Sequence, residues 1–219
     1  MSLASSIARL WKRDARASDG DGDEPRVVVV DTETTGLDAE RDALVSIGAV
    51  AVSGGAVRPD DSFEAVVRRD GPVDARNAAV HGVGAAAQAA GTPATHALRA
   101  FHDYVANARI VAFHADFDRR MLERASVTHG VAFDPRPWLD LAPLAAVVDP
   151  SRWAAGKRSL DDWLAASGID TLARHSAAGD ALATAELYLW LSARARKHGA
   201  RGFEALLRAA AQRKWLGGG

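Results

Sequence analysis

Residues 26–37 read RVVVVDTETTGL, four valines followed by two acids and a turn of small residues. Four consecutive valines are typical of a strand that is buried on both faces, so we predict a strand over residues 26–32. Side chains two residues apart on a strand point the same way. Asp31 and Glu33 should therefore leave one face of the sheet together, where the apolar run ends.

Two carboxylates this close repel each other, and each raises the pKa of its neighbour. A divalent cation removes that cost, and Mg²⁺ and Mn²⁺ prefer oxygen ligands of this kind. The acidic pair alone is equally consistent with a strand that simply ends in polar residues. The Thr34-Thr35-Gly36 turn favours a functional site, because it brings small residues and backbone N–H groups beside the acids.

Outward from this strand, the pattern predicts one α/β domain with a mixed sheet flanked by helices. Apolar runs at 44–52 and 62–68, joined by a hairpin turn at Ser53-Gly54-Gly55, complete an antiparallel meander. Strands and helices then alternate. We predict strands over 110–113 and 138–141, and helices over 95–106, 116–126, 160–166, 177–197 and 203–215.

Composition restricts the class of protein without choosing a function. The 219 residues include no cysteine, which excludes disulfides and Cys-based zinc sites. We expect a cytoplasmic protein, because no apolar run is long enough to span a bilayer and the N-terminus lacks a signal-peptide pattern. The net charge of -1 permits a nuclease only if a local positive patch or metal ions serve the site.

The chain divides into three predicted parts. Residues 1–25 combine a short amphipathic helix with a flexible linker rich in Asp and Gly, and residues 26–198 form the folded domain. Residues 199–219 form a C-terminal helix and a glycine tail. That helix is amphipathic and can dock on the domain, on a second copy in a homodimer, or on another protein.

Acidic residues and a histidine recur later in the chain. Asp116 and Asp118 open a predicted helix, where one acid serves to cap the free N–H groups. We assign that role to Asp116 and leave Asp118 for chemistry. His175 and Asp180 would point about 140° apart on one continuous helix, so we predict His175 in the loop before it. A lone histidine there is more often structural, but beside carboxylates and metal it can take a proton from water.

Together these segments resemble the DEDDh, or DnaQ-like, family of 3′–5′ exonucleases, and most of all its proofreading epsilon-subunit group from bacterial DNA polymerase III. Residues 31–37 (DTETTGL) look like the first motif of the family. Residues 113–118 (FHADFD) resemble the second, which ends in a metal-binding acid, and residues 175–180 (HSAAGD) match the third. Residues 80–82 (VHG) resemble a family turn between the third strand and the first helix. The likeness runs from about residue 27 to about residue 191.

The resemblance implies a ribonuclease-H-like fold with three layers and the removal of nucleotides from a single-stranded 3′ end, DNA in preference to RNA. It also implies two divalent cations, Mg²⁺ or Mn²⁺. Asp31 would bridge both ions, Glu33 and Asp180 would hold the ion nearer the attacking water, and Asp118 would support the second. His175 would be the general base.

The same resemblance implies substrate contacts. Thr34, Gly36 and Leu37 would lie against the terminal nucleotide, and His81 would approach its base. His114 stands where the family commonly has an asparagine, so substrate handling is open to change there; we interpret it as a packing or supporting residue. An exoribonuclease and a non-catalytic nucleic-acid-binding module remain alternatives, and association with a DNA polymerase stays open.

Overall fold

The computed structural model of the protein describes residues 26–71, 73–171 and 174–216. The predicted N-terminal helix, its linker and the glycine tail lie outside these residues, and the predicted three-part division stays a prediction. A five-stranded sheet forms the centre, in the order β3-β2-β1-β4-β5. Its strands are β1 (Val27–Thr34), β2 (Leu44–Ser53), β3 (Ala56–Val66), β4 (Arg109–Ala112) and β5 (Trp138–Asp140).

The sheet is mixed, as predicted. β2 pairs antiparallel with both β1 and β3, whereas β4 is parallel to β1 and β5 is parallel to β4. Gly54 and Gly55 join β2 to β3 with φ angles of 57° and 72°, the left-handed geometry that a tight hairpin needs at both central positions. The predicted start of the third strand at residue 62 was wrong, because this tight turn lets pairing begin at Ala56.

Helices cover both faces of the sheet. They are α1 (Ala75–His81), α2 (Ala85–Ala89), α3 (Ala94–Val105), α4 (Asp116–Thr128), α5 (Leu141–Val148), α6 (Pro150–Ala154), α7 (Leu160–Ser167), α8 (Ala177–Lys197) and α9 (Phe203–Leu216). The five predicted helices appear as α3, α4, α7, α8 and α9, whereas α1, α2, α5 and α6 were not predicted. The predicted strand over 138–141 was one residue too long, because the Asp140 side chain caps α5 and Leu141 begins that helix.

Two buried clusters lie on opposite faces of the sheet, and the alternating valines of β1 contribute to both. Val27 and Val29 pack in one cluster with Leu187 of α8, and Val28 and Val30 pack in the other with α3 and α4. β1 is thus covered on both faces, which explains why its apolar run is continuous rather than alternating. Among the described helices, none combines the length and the apolar character needed to cross a bilayer.

Helix α9 packs on its own domain. It contacts α5 and β5, and Phe203 and Leu206 are buried in the same core cluster as α8. Arg109 at the start of β4 forms a 3.0 Å ion pair with Glu204. The sequence left three docking partners open for this helix: its own domain, a second copy and another protein. In the structure the helix packs against its own domain.

Candidate active site

The first acidic pair lies on the central strand. β1 continues through both acids to Thr34, two residues beyond the predicted end of the strand. Asp31 pairs across the sheet with Gly48, and Glu33 pairs with Ser46. Asp31 and Glu33 are half-buried while Thr32 between them is buried, so the two carboxylates share one face as the alternation predicted.

A glycine in β2 lets the start of α8 reach this pair. A Cβ atom on Gly48 would overlap the backbone carbonyl of Ala177 and the backbone nitrogen of Ala178. Gly48 therefore allows the first turn of α8, which carries Asp180, to rest directly on β2. One carboxylate oxygen from each of Asp31, Glu33 and Asp180 lies within 4.8 Å of the other two. Sequence analysis missed this role, although a glycine inside a strand was the signal.

His175 lies immediately before α8, in the predicted loop. Ser176 is the N-cap of α8, and its hydroxyl accepts a hydrogen bond from the Gly179 N–H at 3.2 Å. His175 has a left-handed φ of 62°, and its side chain is exposed. Its backbone N–H donates to Oδ2 of Asp180 at 3.3 Å. The structure thus joins the histidine to the acid through the backbone and leaves the ring accessible.

Asp118 approaches the cluster from the other face of the sheet. It lies in the first turn of α4, is 5% exposed, and its Oδ1 accepts a hydrogen bond from the Thr32 hydroxyl at 2.7 Å. Thr32 points away from Asp31 because neighbours on a strand alternate. Asp118 is therefore not one of the three converging acids, although its charge contributes to the raised pKa of Asp31.

Asp116 is not the N-cap of α4, although it lies in the first turn, where an acid suits the helix dipole as predicted. The N-cap of α4 is Ala115, without a side-chain capping bond, and Asp116 is the first residue of the helix. His114 turns the chain just before it with a left-handed φ of 59°, which places Asp116 within the first turn rather than at the cap. Asp116 is exposed and Asp118 is buried, so the geometry separates the two acids.

Burial and mutual repulsion raise the pKa values of the clustered carboxyls. Burial raises the pKa of Asp31 well above its usual range, and Asp118, Asp180 and Glu33 add to this effect. Burial also raises the pKa of Glu33 to about 7 and that of Asp118 to about 7, the latter against the hydrogen bond from Thr32. Such a cluster holds protons or a cation, and its oxygen donors suit a hard divalent ion.

One cation that sequence analysis missed lies among these acids. The guanidinium of Arg174 donates through Nη1 to the carboxylate of Asp180. It also donates to Oδ1 of Asp161, through Nε at 2.8 Å and Nη2 at 2.6 Å. Its charge opposes the rise in the pKa of Asp31 and of Glu33. The only signal in the sequence was a basic residue directly before the third motif.

Asp140 organises the second motif and was also missed. Its Oδ1 accepts hydrogen bonds from the N–H groups of His114 and Ala142, both at 3.0 Å. The His114 ring packs edge-on against Phe113, with Nε2 3.3 Å from the carbonyl oxygen of Arg158. These contacts are structural, and a role of His114 in substrate binding stays a prediction.

The turn after β1 is closed by hydrogen bonds. The Thr34 hydroxyl donates to the Gly36 carbonyl at 2.6 Å, and a Cβ on Gly36 would lie 2.5 Å from Oδ2 of Asp42. Leu37 follows with 93% of its surface exposed. This turn therefore has a rigid backbone and one apolar side chain in solvent, beside the acids.

His81 occupies the end of α1 rather than an independent turn. Gly82 ends the helix with φ 73°, and Nδ1 of the buried His81 accepts a hydrogen bond from the Val83 N–H at 3.1 Å. Asn77 of the same helix donates to the carbonyl of Thr35. α1 thus lies against the 34–37 turn, while a contact of His81 with a terminal base stays a prediction.

Comparison with known proteins agrees with this geometry. A DNA polymerase III subunit epsilon-like protein from Rhodobacter capsulatus is 37% identical over 188 residues, which are 84% of this chain and 26% of that protein. A PolC-type DNA polymerase III from Thermotoga petrophila is 29% identical over 163 residues, which are 74% of this chain and 11% of that protein. The chain thus spans about a quarter of the length of the first relative and about a tenth of the second.

Solved structures share the fold. A complex of exonuclease X with 5′-overhanging duplex DNA superposes with a TM-score of 0.64 at 22% identity, covering 84% of this chain and 99% of that one. The zinc-bound complex of Escherichia coli exonuclease I with single-stranded DNA gives a TM-score of 0.67 at 15% identity, covering 80% and 42%. These matches confirm the predicted ribonuclease-H-like fold.

Residues 28–188 match the RNase T family, which is described as an exonuclease family. The match includes all three predicted motifs and most of the described domain. It confirms both the predicted DnaQ-like family and the predicted class of enzyme, a nuclease. The chain therefore belongs to the RNase T exonuclease family.

Proposed function

We propose that this exonuclease removes nucleotides from the 3′ end of single-stranded DNA with two divalent ions, Mg²⁺ or Mn²⁺, and a histidine base. The observation that carries the proposal is the convergence of Asp31, Glu33 and Asp180 within 4.8 Å, at the end of a strand whose other face leads to Asp118. Buried carboxylates that repel one another need a cation, and their oxygens suit these ions.

In this proposal the ions supply charge neutralisation on the phosphate and help to activate water. Asp31 would hold both ions, because its carboxylate converges with those of Glu33 and Asp180 and its pKa also responds to Asp118. Glu33 and Asp180 would hold one ion with it, and Asp118 would support the second. The hydrogen bond from Thr32 keeps one lone pair of Asp118 occupied and so orients the free oxygen.

His175 acts as the general base. Its ring is exposed, and its backbone N–H donates a hydrogen bond to Asp180. This bond keeps the residue close to one of the proposed ligands of the divalent ions. A histidine in its neutral form can accept the proton of the attacking water. The left-handed backbone at this residue turns the chain into α8, which lets the base and Asp180 serve one site.

Two observations support a DNA 3′ end as the substrate. The closed turn of residues 34–37 offers backbone groups and the exposed Leu37 to a terminal nucleotide. The names of the two curated relatives associate this domain with DNA polymerase III. The same names support association with a DNA polymerase, which co-elution of the purified chain with the polymerase of the same organism would test.

The decisive assay offers the purified chain single-stranded DNA and RNA of one sequence, labelled at either end. With Mg²⁺ or Mn²⁺ we expect a 3′ label to appear at once as a mononucleotide and a 5′ label to give a descending ladder. EDTA should abolish both products. Activity in EDTA, or release of a 5′ label as a mononucleotide, would contradict the mechanism or the direction.

A matched pair of variants isolates the site. Asp118→Asn should abolish activity, whereas Asp116→Asn, two residues earlier on the same helix and exposed, should retain it. Faster cleavage of RNA than of DNA would favour the exoribonuclease alternative. Binding of the strand without cleavage by the unaltered chain would favour a non-catalytic module.

A further inference from the structure

Arg174 is a cation that the proposed chemistry does not use. It directly precedes His175, only 21% of its side chain is exposed, and its guanidinium contacts the carboxylate of Asp180. Asp180 is also one of the three acids whose oxygens converge. A guanidinium and a divalent ion therefore compete for the same carboxylate.

Arg174 has a second carboxylate within reach. Asp161, in the first turn of α7, accepts hydrogen bonds from Nε and Nη2 of Arg174, while Nη1 reaches Asp180. The Asp161 side chain is 66% exposed. The contacts with Asp161 use Nε and Nη2, whereas the contact with Asp180 uses Nη1, so the two carboxylates bind different nitrogens of the guanidinium.

Electrostatics decides which arrangement accompanies an ion. A positive charge beside a divalent ion is repelled by it, and the repulsion is strong where water is scarce. Without an ion, the same charge relieves the repulsion among the converging carboxylates. The favoured position of the guanidinium therefore changes when an ion enters, because the ion supplies the charge that Arg174 provided.

We propose that Arg174 is an internal counter-ion that competes with the divalent ion for Asp180 and retreats to Asp161 when the ion binds. This inference rests on the proposed function, since it concerns the same site. Arg174 sets the ion concentration at which the exonuclease becomes active. Asp161 acts as a positioning residue that draws the guanidinium away.

Binding of Mn²⁺ alone, measured by calorimetry at pH 8 without nucleic acid, tests the proposal. In Arg174→Gln the competitor is lost, and we expect Kd for Mn²⁺ to fall by about tenfold, the factor that corresponds to about 1.4 kcal/mol of relieved repulsion. In Asp161→Asn the guanidinium has only Asp180, and we expect Kd to rise by about threefold.

Opposite signs distinguish a counter-ion from a structural tether. If Arg174 only ties α7 to α8, both variants should weaken Mn²⁺ binding or leave it unchanged, and the inference fails. Arg109→Gln controls for net charge, because Arg109 lies opposite Val27 at the far end of the sheet; its Kd should equal that of the unaltered chain.

The same titration separates the two proposals. If the unaltered chain binds no Mn²⁺, the proposed two-ion function is wrong. If it binds Mn²⁺ but Arg174→Gln does not tighten binding, only the counter-ion role is wrong. Thermal unfolding without metal checks that each variant is folded, and Arg174→Lys, which keeps the charge, should bind Mn²⁺ more weakly than Arg174→Gln does.

Discussion

On one face of β1, Asp31 and Glu33 meet Asp180 around the charged side chain of Arg174, whereas on the other face Asp118 is held by the neutral hydroxyl of Thr32. We call these the α8 face and the α4 face. On the α8 face, the guanidinium of Arg174 offsets negative charge on the carboxylates. On the α4 face, Asp118 is buried and accepts a hydrogen bond from a neutral hydroxyl.

The two faces also differ in what positions their acids. Asp180 reaches the site because the backbone of α8 rests on Gly48, whereas Asp118 is oriented by the side chain of Thr32. A substitution at Gly48 should therefore disturb mainly the α8 face, and a substitution at Thr32 mainly the α4 face. The experiments below test this separation.

Asp31→Asn should have the largest effect, because Asp31 converges with Glu33 and Asp180 and its pKa also responds to Asp118. We expect activity to fall by about 10³-fold or more, the loss that follows when several kcal/mol of transition-state charge stabilisation disappear. Without metal, the variant should unfold at a higher temperature than the unaltered chain at pH 8, since a buried and repelled carboxylate has become neutral. Calorimetry and the labelled-DNA assay measure the two effects; a lower unfolding temperature would contradict the account of repulsion.

Gly48→Ala should damage the α8 face and spare the other. The new methyl group overlaps the backbone of Ala177, so α8 must retreat and carry Asp180 away from Asp31. We expect a loss of about 100-fold in activity, weaker Mn²⁺ binding, and destabilisation of about 2 kcal/mol from overpacking.

Ala49→Gly is the control for that variant. It alters the next residue of β2, which faces the other buried cluster, and should lower stability by about 1 kcal/mol while keeping Mn²⁺ binding. If both variants lose Mn²⁺ binding in proportion to their loss of stability, the close approach of α8 is not what positions Asp180.

Thr32→Val should give a smaller effect, confined to the α4 face. It keeps the shape of the side chain and removes the hydroxyl that donates to Asp118. Removing one hydrogen bond from a buried carboxylate costs about 1–3 kcal/mol of free energy, so we expect activity to fall by roughly tenfold. Thr32→Ser retains the hydroxyl and should keep most of the activity. Equal losses in the two variants would show that packing, not the hydrogen bond, orients Asp118.

The parts of this site that lie within one element were predictable from sequence. Alternation along β1 placed Asp31 and Glu33 on one face, and the angle between His175 and Asp180 required a loop before α8. Both arguments use only the fixed geometry of a strand or a helix.

Contacts between distant elements were not predictable in the same way. The approach of α8 to Gly48, the bonds of Arg174 and the double role of Asp140 join segments that are far apart in the chain. Helices α1 and α5 begin at side-chain caps from Asp74 and Asp140. They were not predicted, because neither segment is long enough to show a clear helical period.

The smallest expected effect is a change of stability with pH in EDTA. Glu33 on the α8 face and Asp118 on the α4 face each have a pKa raised to about 7 in the folded chain. A carboxyl with a raised folded pKa stabilises the protein below its unfolded pKa near 4, and this contribution disappears as the pH rises through about 7. We expect these groups to lower Tm between pH 5 and pH 8. Differential scanning calorimetry of Glu33→Gln and Asp118→Asn should each show a shallower decline. Arg174→Gln should make the decline steeper, in the Asp118→Asn background as well, because Arg174 opposes the rise in the pKa of Glu33 and of Asp31, which lie on its own face. A decline that Arg174→Gln leaves unchanged in both backgrounds would contradict this electrostatic role of Arg174.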